Sequence, residues 1–457
     1  MIINNFYNRQ FEPKPYFRRE IHLMIMKKII FIAVFILQGI ASFAQADKML
    51  NAAEAARIEN YLASDQMKGR KTGSPEIDMA ADFISAEFKK AGLKYYSGLE
   101  DYKQSFTNVR AKFISASGNI DGKNIEAANI IAITTDSSLN FNETSGYTKI
   151  SPSNTENLLT RAAEILNEKK NTVVFVNAFF ANDFNKLKRF KRDGPKRNAS
   201  VVFVLADANP LKYYFEIKNK ITTVLLTNVV GVLPGKSLPA GQAGKKDEMV
   251  IFSSHYDHLG TAKPNAAGDS VYNGANDDAA GTTGVIMLAD YFSQLKDNAR
   301  TIVFVAFTAE EIGGFGSQYF SRQIDADKVV AMFNLEMIGT ESKWGKNSAY
   351  ITGFDRSDFG SILQKNLAGT PFHFEPDPYP AQNLFYRSDN ATLAALGVPA
   401  HTISTSKMDN EVNYHKLSDE VGTLDMDNMA EVIKAIALSS KSIISGKDTP
   451  TRVEKMK

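Results

Sequence analysis

The sequence predicts an α/β fold, a mixed central β-sheet flanked by helices, with a smaller inserted α+β domain. Three observations carry this. From Thr223 onward, apolar runs of strand length alternate with helix-length segments, the pattern of a sheet covered on both faces. Histidine or acidic residues stand directly after several of those runs, where such sheets place their chemistry. Between about Gln104 and Thr222 the texture changes to short strand-like runs, one helical stretch and loops rich in Lys, Arg and Asn.

The chain opens on a leader pattern over residues 1–44. Lys27-Lys28 precede the apolar run Ile29–Leu37, and Ser42-Phe43-Ala44 then offers a small-x-small cleavage site before Gln45. That run is too short to cross a bilayer, which takes about 20 apolar residues. The expectation is export, with a secreted or periplasmic mature chain and no stable membrane span after removal of the leader. The leader holds six basic and two acidic of the 53 and 51 such residues in the whole chain, so the mature part is close to neutral and slightly acidic. No basic field remains to argue for nucleic acid. With no cysteine, disulfides, thiol nucleophiles and thiolate metal ligands are excluded.

Helical spacing predicts helices over Ala52–Asp65 and Glu76–Ala91, joined by the loop MKGRKTGSPE, whose Ser74-Pro75 starts the second. In the middle section, strands are expected at Ile130–Thr134, Thr172–Val176 and Val201–Leu205, with a helix over Thr155–Lys169. The basic stretch Lys186–Lys196 reads as a solvated loop. Beyond it, strands are expected at Thr223–Leu233, Met249–Ser254, Thr301–Phe307, Val329–Leu335, Ala349–Thr352 and Ala400–Ser404. Helices Gly281–Leu295, Ser357–Leu367, Asn390–Leu396 and Asn428–Ile444 alternate with them. The tract SLPAGQAGKKDE reads as a flexible surface excursion. The expected organisation is a main domain from residues 47–107 and 223–446, an inserted domain over 108–222 and a flexible tail over 447–457.

Four clusters begin where an apolar run stops. IFSSHYDHLG holds His255 and Asp257, which point the same way in extended chain, so that the carboxylate can fix the imidazole tautomer. NGANDDAAGTTG offers the adjacent carboxylates Asp277 and Asp278, the latter read as a turn or cap residue. VFVAFTAEEIGGFG ends in Glu310-Glu311, and FNLEMIGT places Glu336 after an apolar strand. Late in the chain NYHKLSDE brings His415, while His258, His373 and His401 read as structural. Carboxylates after buried strands are costly unless they meet a cation, and the nitrogen and oxygen donors gathered here suit zinc.

In the order SSHYDHLG, GANDDAAGTTG, FTAEEIGGFGS, FNLEMIG and NYHKLSDE, these segments resemble the M28 family of co-catalytic zinc aminopeptidases, relatives of glutamate carboxypeptidases and glutaminyl cyclases. MKGRKTGS, VVGVLPG and RSDNATLAALGVPA match as well, so the resemblance covers the first helices and nearly everything after residue 223. It implies a zinc-peptidase fold, peptide substrates and two Zn2+ per chain. His255 would hold one metal, Asp277 would bridge both, and Glu311 and His415 would hold the second. Glu310 would be the general base, and Asp257 would orient His255. The chain departs from the pattern at Glu336, where the family usually has Asp as the last ligand of the first metal. It departs again where the family's oxyanion tyrosine is replaced by Phe385, which leaves Tyr386 as the candidate. Carboxypeptidases, dipeptidases and single-zinc glutaminyl cyclases share the scaffold, as do receptors that have lost the metal. His255-x-Asp257 with Asp277 and Glu311 argues for two metals, and retention of Glu310 argues for an enzyme.

Overall fold

The computed structural model describes residues 46–206, 210–236 and 244–456. The expected leader and residues 237–243 of the expected surface excursion lie outside them.

Two N-terminal helices pack on one face of the sheet. Helix α1 (Ala52–Leu62) starts where the Asn51 side chain accepts the Glu54 N–H. Helix α2 (Pro75–Lys90) starts at Ser74, whose hydroxyl oxygen accepts the Ile77 N–H, with proline at the first helical position. Its apolar stripe, Ile77, Ala80, Ala81, Ile84 and Phe88, is buried.

The central sheet uses β1 (Lys103–Ile120), β2 (Tyr213–Leu233), β3 (Met249–His255), β4 (Thr301–Phe307), β5 (Val329–Leu335), β6 (Ser348–Ile351), β7 (His373–Pro376) and β8 (Ala400–Ser404). In space they run β7-β6-β8-β5-β3-β4-β2-β1, with the short strand Lys123–Ile125 at the far edge. Strand β3 is flanked by β4 and β5, both parallel to it, while β2 joins β4 and β6 joins β8 antiparallel. The sheet is therefore mixed. In register His255 stands opposite Phe307, and Ser253 opposite Asn334, so the three parallel strands end together. That shared end carries the chemistry.

Helix α3 (Ala280–Leu295) is buried along most of its length against this sheet, as its all-round apolar sequence requires. Phe252 of β3 stacks with Phe292 of α3, Phe304 of β4 and Phe333 of β5. Helices α4 (Phe315–Ser321) and α5 (Met426–Ser439) complete the layers used below.

The inserted segment leaves the sheet as a ribbon. Strands β1 and β2 pair antiparallel from Lys103–Val229 out to Ile120–Tyr213. The strand expected from Thr223 thus begins at Tyr213, and the expected boundaries at 107/108 and 222/223 fall inside continuous strands. Alternation in YYFEIKNKI, with Tyr213, Phe215 and Ile217 buried and the residues between them more exposed, lets the pairing continue. At the outer end lies a four-stranded sheet, ordered Ile130–Ile133, Val201–Leu205, Thr172–Val176 and Thr148–Ile150, whose first three strands are buried on both faces and whose last is a more exposed edge. One apolar layer packs it on the ribbon through Phe141, Phe175 and Phe215, the other under the helix Leu158–Asn167.

The C-terminal residues depart from the expected flexible tail. Val453 is buried and its N–H bonds the Gly397 carbonyl, while Arg452 donates to the carbonyls of Val329 and Ala326. Polar composition suggested a free tail, but one apolar residue and backbone pairing dock it. Among the described residues no helix is long and apolar enough to cross a membrane.

Candidate metal centre

Five expected ligands converge at the shared strand end. His255 closes β3, and its Nε2 lies 3.2 Å from Asp277 Oδ1 and 3.4 Å from Glu336 Oε1. His415 Nε2 lies 3.2 Å from Asp277 Oδ2 and 3.1 Å from Glu311 Oε2. Asp277 therefore divides its two oxygens between two groups, His255 with Glu336 on one side and His415 with Glu311 on the other. Burial opposes ionisation of Asp277, yet hydrogen bonding to His255 and His415 holds its carboxyl below the usual range. Burial likewise opposes ionisation of Glu311, and His258 and His415 hold it low.

His258 was expected to be structural, and the structure places it inside this cluster. Its Nδ1 stands 2.6 Å from Glu311 Oε1 and 3.9 Å from Asp277 Oδ2, with the side chain fully buried. The signal was present as the last residue of HYDH. Strand alternation hid it, because the strand stops at His255 and the chain turns. Asp278 has the opposite fate to its neighbour. Its carboxylate accepts the backbone N–H groups of His255, Gly281 and Met337, clamping three segments.

Two more carboxylates hold the backbone in the same way. Asp419 accepts the N–H groups of Asn276 and Asp277 at 2.8 and 3.0 Å. Asp257 accepts the Glu310 N–H at 3.0 Å and the Thr72 hydroxyl at 3.0 Å. The expected contact of this carboxylate with the His255 ring spans 3.8 Å, while the Asp257 carbonyl lies 3.1 Å from the same Nδ1. The backbone thus orients the imidazole, because the turn after β3 swings the Asp257 side chain toward the next strand.

Arg70 supplies the central tie. Its buried guanidinium donates to the carbonyls of Leu62, Tyr256, Asn273 and Gly274 at 2.6 to 2.8 Å. One side chain thereby joins the end of α1, the turn after β3 and the turn before Asp277. Gly69 beside it has φ 67°, and a Cβ there would stand 2.3 Å from the Tyr272 carbonyl oxygen. The glycine of MKGRKTGS is what lets Arg70 enter.

Glu310 lies in the turn after β4, where its carbonyl accepts the N–H groups of Gly313 and Gly314. Burial pushes its carboxyl well above the ordinary value; His255 opposes this, and Asp389 and Glu336 add to it. It shares a cleft with Asp277, Glu336, Tyr350, Arg387, Tyr414 and His415. Tyr386 does not line that cleft; its ring packs beside Phe385 with the Arg356 guanidinium 5.3 Å from its centroid. The tyrosines that do line it are Tyr350 and Tyr414, the latter stacked on His415 at 3.9 Å. His401 takes no part, since its ring nitrogens are engaged by Ser357 and the Thr352 carbonyl.

The donors fit zinc. Asp277 Oδ2 and Glu311 Oε1 are buried and face histidine nitrogens at 3.2 and 2.6 Å without the alignment of a hydrogen bond, so that nitrogen and oxygen donors converge as ligands would. Buried carboxylates gathered this closely are costly, and a cation between them offsets that cost.

Residues 228–439 match the model of peptidase family M28. The stretch is similar to that family over a little under half of the chain. The chain is 34% identical over 131 residues to a probable zinc metalloprotease of Pyrenophora teres f. teres, covering 28% of this chain and 26% of that protein. Aminopeptidase YwaD of Bacillus subtilis is 27% identical over 132 residues, covering 28% of this chain and 25% of its own. These matches span about a quarter of the relatives' length. In fold, the chain resembles an aminopeptidase from Aneurinibacillus sp. strain AM-1, with TM-score 0.51 at 19% identity over 90% of this chain and 97% of the other. BSAP, a zinc aminopeptidase from Bacillus subtilis, gives TM-score 0.51 at 15% identity, covering 88% and 97%. The stretch matched by the family model contains every expected ligand, and the first two helices with Arg70 lie outside it.

Proposed function

We propose that the protein is an exported zinc-dependent aminopeptidase that removes N-terminal residues from peptides. His255, Asp277 and Glu336 would hold one zinc ion, and Asp277, Glu311 and His415 a second. The observation that carries this reading is the division of Asp277, whose two oxygens face two separate sets of donors. When bound, the metals polarise the scissile carbonyl and lower the pKa of water toward ~7.

Glu310 is the general base. It lines the cleft with Asp277, Glu336 and His415, placed to accept a proton from the attacking water and return it to the leaving amine. Asp257 fixes the Glu310 backbone, Asp419 fixes that of Asp277, and Asp278 ties His255 to the segment after Glu336. Glu310, Asp277 and His255 are thereby each held through a backbone N–H by a neighbouring carboxylate. The aminopeptidase relatives support the choice of activity, and the leader pattern over residues 27–44 supports export.

A panel of aminoacyl-chromophores, N-acetylated peptides and N-terminal glutamine peptides, with metal analysis of the same sample, tests the reading. Release of free N-terminal residues with two zinc ions per chain is the expected result. Cleavage only from the C-terminus, or cyclisation of glutamine with one zinc, would overturn it.

A further inference from the structure

Away from the carboxylate cluster, a cleft of about 840 Å3 opens where the inserted segment meets the main domain. Seven basic side chains line it against a single acidic one, Asp193. Asp193 is already taken by Arg110 at 2.6 Å. Among the described residues no carboxylate stands within ion-pairing distance of Lys169, Arg189, Lys191, Arg197 or Arg322. Arg197 Nε is buried with no hydrogen-bond partner. Burial also lowers the pKa values of Lys191 and Arg197, and Lys188 adds to the effect at Lys191. Like charges gathered in one recess repel one another, and an anionic ligand would offset that repulsion.

The cleft is not isolated from the reaction centre. Its wall includes Phe315, the first residue of α4, whose N–H bonds the Ala309 carbonyl immediately before Glu310. On the other side, Val109 of β1 and Gly194 of the basic loop exchange backbone hydrogen bonds at 2.6 and 3.3 Å. Between the cations the walls are apolar, with Ile133, Leu166 and Phe190 among them. Cations set among apolar walls suit carboxylates on short alkyl stems. They suit a nucleic-acid or polyphosphate chain less, and the near-neutral mature protein offers such a chain no wider positive field.

We propose that this cleft binds the acidic side chains of a peptide, so that substrates with Glu or Asp downstream of the cleaved residue are held more tightly. This rests on the aminopeptidase reading for its consequence in turnover, but binding itself can be measured apart from it. The stretch Lys186–Lys196, which reads in sequence as a solvated loop, then forms one wall of a specificity site.

The test uses the mature protein and a fluorescent, N-acetylated peptide carrying four glutamates, with glutamine and lysine versions as controls. Anisotropy titration should show the glutamate peptide binding ~10-fold tighter than the glutamine peptide, with the advantage shrinking as salt rises. Arg189→Gln with Arg322→Gln, both at exposed positions, should abolish the advantage while hydrolysis of a leucyl-chromophore and the melting temperature stay unchanged. Unblocked glutamate peptides should show a lowered KM with kcat unaltered, and the double variant should restore KM to that of the glutamine peptide. Equal affinity for glutamate and glutamine peptides would overturn the proposal, as would displacement of the glutamate peptide by inorganic polyphosphate at far lower charge equivalents. Failure of the leucyl-chromophore to turn over would instead strike the aminopeptidase reading and leave the binding result standing.

Discussion

The carboxylate of Asp257 accepts the backbone N–H of Glu310 at 3.0 Å, linking the turn after β3 to the turn that carries the proposed base. This makes Asp257 a positioning residue for Glu310. Asp257→Ala is expected to lower kcat ~10–100-fold, the usual cost of losing such a support. Asp257→Asn keeps an acceptor oxygen and should retain more activity than the alanine variant. Side-by-side kcat and zinc measurements check this; equal kcat in both variants and the unaltered enzyme would refute the role.

Glu310 itself contacts none of the histidines at ion-pairing distance among the described residues. Its removal should therefore spare the metal. Glu310→Gln is expected to keep the zinc content and melting temperature and to lose ~10²–10⁴-fold in turnover. Near-normal turnover would sink the assignment.

Metal counts separate the ligand groups. The unaltered protein should bind two equivalents of zinc when apo-protein is titrated, and Asp277→Ala should weaken both because its oxygens face both sets of donors. Glu336 spends Oε2 on the Ser388 hydroxyl at 2.6 Å and presents Oε1 toward His255. Glu336→Ala should retain one equivalent and Glu336→Asp both. Full occupancy in Asp277→Ala would remove the bridging claim.

His401 makes stability depend on pH. Burial lowers its pKa to about 4, with the Thr352 carbonyl partly opposing the shift. An unfolded histidine titrates near ~6.5. The folded state thus binds the proton less readily, so this stabilisation is present above pH ~6.5 and is lost as pH falls toward about 4. The full contribution is ~3 kcal/mol. His401→Asn should flatten the slope of unfolding free energy against pH in this window, relative to the unaltered protein. An identical slope in both proteins would show that His401 does not titrate there.

The docked C-terminus should matter for stability. Arg300 is fully buried and donates to the carbonyls of Ile443 and Asp448 at 2.6 Å each, and also to Thr449. Deleting residues 447–457 removes two of those acceptors and exposes the site of Val453. A loss of ~2–4 kcal/mol is expected from the under-satisfied guanidinium and the lost burial. Denaturant unfolding of the truncated chain measures it, and an unchanged midpoint would mean that the tail contributes nothing.

Most of the central sheet was legible in the sequence because its strands are continuous apolar runs, and such runs have few alternatives once buried on both faces. Val329–Leu335 and Thr301–Phe307 run over the same residues in sequence and structure. The extension of β2 back to Tyr213 was harder to read, since a half-exposed ribbon mixes polar and apolar residues and its pairing partner lies about a hundred positions away. His255, Asp277, Glu311, Glu336 and His415 could be singled out because each follows an apolar run or sits in a recognisable segment.

What the sequence determined by itself was most of the central strands and helices, though not β1, β7 or α4, and the identity of the residues placed at their ends. Only the tertiary structure decided what those residues do. Asp277 and Asp278 are adjacent and chemically alike, yet one faces histidines and the other binds backbone N–H groups from three segments. Asp257 turned from the His255 ring to the Glu310 backbone, His258 entered the cluster, and Tyr386 stayed out of the cleft. For the three buried polar groups among them the physical reason is the same. A buried polar group must find its partners wherever packing brings them, and for Asp257, Asp278 and His258 these include groups on segments far apart in the chain.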